Sequence, residues 1–150
     1  MTSPIQTMVD DLIAEIRKRP QNLKTFRNQG LKLVGYTGRF TPEELIYAAG
    51  AKPFLICRGG EPEPVEAVLP YMLRFLNPFV RAQLGYYILG IDPVAPMLDQ
   101  IAVHCDDCPS SRLADLFEYL KLPAIRIGIP TDWKKQLSVD YFAHVLEKLQ

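Results

Sequence analysis

Four short apolar runs, over residues 31–36, 53–57, 101–104 and 124–129, are separated by segments with helical spacing. Strands that alternate with helices imply parallel pairing through right-handed crossovers. The fold class that follows is α/β: a three-layer, Rossmann-like parallel sheet of about four strands with flanking helices. The chain has 150 residues, which fits one domain of this kind. It reads as a helical extension over residues 1–30 followed by a lobe over residues 31–150.

The helices carry their own signals. Ser3 and Pro4 suit the start of a first helix, and Ile5, Met8, Val9, Leu12, Ile13 and Ile16 form one apolar stripe along it. Arg17, Lys18 and Arg19 suit its carboxyl end, where Pro20 is expected to stop it. Thr41-Pro42-Glu43-Glu44 reads as a capping box, and Gly50 as the glycine after that helix. The second crossover is long. Pro64 is expected to open a helix through Leu76, and Pro78 another through Leu89, with a break at Gly90 and a short helix after Asp92-Pro93. Ser110 or Ser111 caps the third crossover, and Ser138 caps a last helix carrying Val139, Phe142, Leu146 and Leu149.

Seventeen basic and seventeen acidic side chains balance to zero. That balance points to neither nucleic acid nor an anionic membrane as partner, and does little to oppose self-association. Residues 1–10 lack the basic and apolar pattern of a signal peptide. The apolar stretches are interrupted by Arg74, Asn77, Arg81 and Gln83, so no membrane-spanning helix is expected. Three cysteines make no disulfide framework, and a reducing cytoplasm is the simplest compartment.

In open α/β sheets ligands bind beyond the carboxyl ends of the strands. Four loops, over residues 37–41, 58–61, 105–110 and 130–133, are expected to meet there. The sharpest feature is His104-Cys105-Asp106-Asp107-Cys108-Pro109. Two cysteines three apart, just before a helix, suit zinc or an iron–sulfur centre. The same spacing suits a reversible dithiol, and equally a core cysteine ending a strand beside an incidental one. His104 or Cys57 is available as a further ligand, although a strand-end histidine is more often a core residue. Tyr86, Tyr87, Phe75 and Phe79 read as core or interface.

Gly38 and Arg39 lie in a glycine-containing turn before the capped helix, where backbone N–H groups suit an anion, although a plain turn and cap explains them as well. No Gly-x-Gly-x-x-Gly fingerprint or Walker lysine is present. Arg58, Gly59 and Gly60 follow the second strand, and an arginine beside two flexible residues suits a phosphate or carboxylate. Glu43 and Glu44 serve the helix dipole, and a carboxylate at that mouth also suits acid–base work.

Gly35-Tyr36, Pro42-Glu43-Glu44-Leu45-Ile46, Ala48-Ala49-Gly50-Ala51, Arg58-Gly59-Gly60, the run from Asn77-Pro78 to Gly85, His104-Cys105-Asp106 and Ile129-Pro130 form a set. As a set they resemble the 2-hydroxyacyl-CoA dehydratase D-component family, which includes benzoyl-CoA reductase subunits. The resemblance runs from about Leu31 onward and concerns the family's N-terminal half. It implies an oxygen-sensitive, anaerobic system with a [4Fe-4S] cluster on three cysteines per subunit. It also implies a homodimer, or a heterodimer with a related subunit, and an ATP-dependent activator that delivers an electron. Cys105 matches the second cluster cysteine, and Asn77 stands where the first is expected. The third belongs to the family's second α/β half, and Cys108 offers a local substitute. Glu43 or Glu44 matches a carboxylate near the substrate. A cluster-free binding module and a small thiol-redox protein are the alternatives.

Overall fold

The computed structural model describes residues 4–149. Helix α1 covers Pro4–Asn28, β1 Leu33–Tyr36, α2 Glu43–Ala48, β2 Lys52–Leu55, α3 Pro62–Ala67 and α4 Pro78–Leu89. After a 3-10 turn at Ala95–Met97 come β3 Gln100–Cys105, α5 Cys108–Tyr119, β4 Ala124–Gly128 and α6 Gln136–Glu147. The four strands form one all-parallel sheet in the order β2-β1-β3-β4. This is the expected α/β architecture. Its long second crossover carries the chain from the β2 edge across β1 to β3.

The pleat sorts alternate strand residues onto two faces. Leu33, Ile101 and Val103 point into the larger core with Val68, Met72, Leu84, Leu113 and Phe117. Tyr36, Ala102 and Ile127 face the other way, where Ile46 of α2 and Phe142 and Val145 of α6 cover them. That second layer is thin, and no residue of α2 or α6 is fully buried. Between the two helices a groove of about 1000 Å³ runs along the sheet face, floored by Val34, Ala102, Ile125 and Ile127.

Several expected helix ends are displaced. Pro20 does not stop α1 but lies inside it. An interior proline loses one backbone bond, and tertiary contacts beyond it hold the helix: Leu23 is buried, Phe26 packs on the core, and Arg27 donates to the Met97 carbonyl. The Ser3 cap lies outside the described residues. Thr41 caps nothing, because its hydroxyl donates to the Thr37 carbonyl at 3.0 Å and α2 starts after Pro42 without a side-chain cap. Gly50 does close α2, at φ +73° with its N–H on the Tyr47 carbonyl. The helix expected from Pro64 to Leu76 is one short helix, α3, followed by turns, and Phe75 and Phe79 are exposed rather than core. Asp92 accepts from the N–H groups of Val94 and Ala95 and so starts the 3-10 turn. Ser138 lies within α6, whose cap position is Lys135.

The cap of α5 is Asp107, not Ser110 or Ser111. Asp107 accepts from Ser110 N–H at 2.8 Å, and Ser110 reciprocates toward the Asp107 backbone. The residue three positions into the helix therefore plays the part usually held by Glu. Asp107→Ala is expected to cost about 1 kcal/mol, read as a lower urea midpoint, whereas Ser111→Ala lowers it less.

Candidate functional site

The loops after the strands do gather at the carboxyl edge of the sheet. Register places Cys105, the last residue of β3, beside Gly128 of β4. Cys105 points into the larger core and is half-buried, with its thiol 3.4 Å from the Val103 carbonyl. Burial pushes the Cys105 thiol up, and Arg126 only partly opposes this. A thiol held up in this way is less readily ionised than a free one. Cys108 is the first residue of α5 and is exposed. It lines a hollow with Leu73, Phe75 and Leu76, immediately before Asn77. The fold therefore brings Cys108 beside the turn that ends in Asn77. Asn77 itself caps α4, accepting from Phe79 N–H at 2.9 Å. Cys57 is exposed after β2.

A cluster of the implied kind needs three thiolates. Among the described residues, no group of three or more His, Cys, Asp or Glu side chains stands close enough to hold a metal ion. Cys105 is half-buried and engaged, Cys108 and Cys57 are exposed at the ends of different elements, and Asn77, where a further cysteine is expected, is an amide used as a helix cap. The chain's own residues do not fit a self-contained cluster.

His104 is buried at the end of β3, as a core histidine would be. Its backbone N–H donates to Thr37 Oγ1 at 3.0 Å, and Phe40 stands edge-on to its ring at 5.6 Å. Asp106 lies 3.3 Å from its Nε2 but off the N–H line, so that nitrogen has no aligned hydrogen bond. Gly38, at φ +72°, packs directly on the imidazole, where a Cβ would enter the ring. Gly38 is thus a packing requirement of this crevice. Arg39 lies over the Phe40 ring at 5.0 Å and is otherwise exposed.

Glu43 is not a free carboxylate. It accepts from the Tyr36 hydroxyl, and burial together with that contact pushes the Tyr36 phenol up to about 12. Glu44, on the same turn of α2, is exposed. On the other side of the edge, Arg58 stacks on the Tyr86 ring at 4.5 Å and stands 3.6 Å from Glu61. The Tyr86 hydroxyl donates to Glu61 at 2.5 Å, which holds that carboxyl below its usual range. Gln83 Nε2 donates to the Arg58 carbonyl at 2.7 Å, and Gly59 rests on the Phe79 ring. Gly60, at φ +95°, has open space around it.

The structure thus collects Gly38, Arg39, Glu43 and Glu44 on one side and Arg58, Gly59 and Gly60 on the other, at the ends of β1 and β2. Cys105, Cys108 and Asn77 belong to the β3, α5 and α4 side. The large groove follows the sheet face and is bordered by Cys105, Thr41 and Gly128, but not by the carboxylates or arginines expected to bind substrate. Sequence reasoning missed the parts of Tyr86, Gln83 and Thr37. Tyr86 and Glu61 are 25 positions apart, and no local pattern reports such a pair.

Among the described residues, no helix is long and apolar enough to cross a membrane. None of the curated proteins compared with the chain matches it. The sequence pattern of the family described as "2-hydroxyglutaryl-CoA dehydratase, D-component" matches residues 39–150, which include α2 through α6 but not β1 or Gly38. The chain belongs to the 2-hydroxyglutaryl-CoA dehydratase D-component family.

Proposed function

We propose that this protein is a cytoplasmic subunit of an acyl-CoA dehydratase or acyl-CoA reductase system. It works as a homodimer or as a heterodimer with a related subunit, and is served by an ATP-dependent activator. Its cysteine loop contributes Cys105 and Cys108 to an iron–sulfur cluster or metal whose remaining ligands come from the other chain. The observation that carries the reading is the family match over residues 39–150, combined with the position of Cys108 beside the turn before Asn77. A [4Fe-4S] cluster, when bound, supplies one-electron chemistry.

The chain's own residues then have distinct parts. Glu44, exposed on the first turn of α2, faces the substrate side as the carboxylate, while Glu43 is held by Tyr36 and positions that turn. Arg39 and Arg58, beside Gly38, Gly59 and Gly60, present cationic edges suited to the phosphates of a CoA thioester. Arg58 is pre-oriented by Glu61 and Tyr86, so less side-chain freedom is lost when an anion docks.

A second reading is a cluster-free module that keeps the fold and the anion-binding edge. The half-buried, engaged Cys105 and the amide at position 77 favour it. Anaerobic reconstitution followed by iron and zinc counts and a visible spectrum separates the two. The first reading expects about four irons per dimer with broad visible absorption, and loss of both in Cys105→Ser and in Cys108→Ser. A colourless, metal-free protein after reconstitution overturns it and leaves the cluster-free module.

A further inference from the structure

The groove between α2 and α6 has no part in the reading above. Small residues keep it open. Ala102 of β3 lies in its floor, and Ala49 and Ala51 line it where α2 ends and β2 begins. Larger side chains at these places would fill the space. The groove runs with the strands. Gly128, the last residue of β4, lies against the Tyr141 hydroxyl at the carboxyl end of the sheet. Helix α6 then returns toward the amino end, so that Lys148 stands about 10 Å beyond Tyr141. Between these ends the lining is apolar, with Val34, Ile125 and Ile127 below and Leu45 and Val145 at the sides. The floor strands β1, β3 and β4 are paired with one another, so a peptide strand laid on this face gains no backbone hydrogen bonds from it.

The charges choose the occupant. Lys148 and His144, one helical turn apart, line the groove toward the amino end of the sheet. Lys148 is exposed and has no ion-pair partner among the described residues. Glu147 stands 3.6 Å from His144 but does not line the groove. Arg126 and Glu118, at the β4 border, are engaged with each other. An apolar trough of about 1000 Å³ with a lysine at one end is complementary to a ligand that has a long apolar tail and one anionic head. Its size lies at the upper end of the range for small-ligand sites.

We propose that this groove binds a medium-chain fatty acid. The carboxylate sits at Lys148, and the alkyl chain runs over Ala102 toward Tyr141 and Gly128. The arginines at the carboxyl edge take no part, so the inference does not rest on the dehydratase reading and stands or falls separately from it.

Calorimetric titration of the full chain with decanoate, below its micelle concentration, tests it. One decanoate is expected to bind per chain. From hexanoate to decanoate the affinity should rise by about fourfold for each added methylene, because each one is withdrawn from water. Myristate should gain little more, since its chain outgrows the groove. Lys148→Glu should weaken decanoate by about fivefold and leave decanol, which has the same chain without the charge, unchanged. Ala49→Trp sets a bulky ring across the groove from an exposed position, so the circular dichroism signature should be retained while decanoate binds about tenfold more weakly. No binding of decanoate, an affinity independent of chain length, or decanoate affinities unchanged in both variants overturns the inference. A wild type that self-associates and becomes monomeric in Ala49→Trp assigns the groove to a second copy of the chain and overturns it as well.

Discussion

Gly85→Ala is expected to destabilise the fold by about 3 kcal/mol, seen as a large drop in the urea midpoint. An alanine inside a helix ordinarily gains about 1 kcal/mol over glycine, so the expected sign is opposite to the propensity argument. The reason is a close backbone approach. Gly85 lies in α4 where α3 crosses it, and a Cβ there would come within 2.5 Å of the Pro64 carbonyl carbon and closer still to its oxygen. Backbone cannot swing aside as a side chain can, so α3 and α4 must separate. Pro64 is buried, and the Val68 and Met72 side chains that follow it fill the larger core against Leu84. Separating the helices therefore opens the core as well. Glu61, at the cap position before α3, is tied to Tyr86 of α4, so Arg58 should lose its orientation in this variant. A midpoint equal to or above that of the wild type would mean that α3 and α4 do not meet in this way.

Gly38→Ala is expected to cost about 2–3 kcal/mol and to displace His104. Two effects add. The residue has φ +72°, a left-handed conformation in which a Cβ carries a penalty of about 1–2 kcal/mol. The new methyl would also occupy the place of the imidazole, within 2.6 Å of its Cε1. His104 can leave only by giving up its contact with Phe40 and its proximity to Asp106. The expected readout is a lower thermal midpoint together with a shifted ring resonance of His104 in NMR. Gly50→Ala is the control, because Gly50 has a similar φ of +73° but nothing within 4 Å of a Cβ. It should show the backbone penalty alone. Equal losses in the two variants would remove the packing role assigned to Gly38.

Both glycines illustrate how much of the crevice could be read in advance. Gly38 was recognisable as part of a turn before a helix, and an anion site was one reading of it. That its missing side chain makes room for His104 depends on a residue 66 positions later, carried back by the parallel pairing of β1 with β3. The same holds for Glu43, whose place at the start of α2 was legible, while its hydrogen bond from Tyr36 arises across the loop between β1 and α2. Asp107 was passed over in favour of the two serines that follow it. Ser110 and Ser111 are good caps locally, yet β3 runs on to Cys105 and α5 begins at Cys108, which leaves Asp107 at the boundary.

The order of strands and helices was written in the alternation of apolar runs, because burial on both faces of a parallel sheet demands continuous apolar strands and amphipathic crossovers. Local chemistry also marked the glycine after α2, the start of α4 at Pro78 and the cysteine loop before α5. Only the folded chain decided that α1 passes through Pro20, since core contacts at Leu23 and Phe26 outweigh the lost backbone bond. It alone decided that Cys105 is half-buried against the core while Cys108 is exposed, and that one apolar face of α1 is half covered and half bare. Each of these depends on contacts between residues far apart in the chain, to which no local pattern is sensitive.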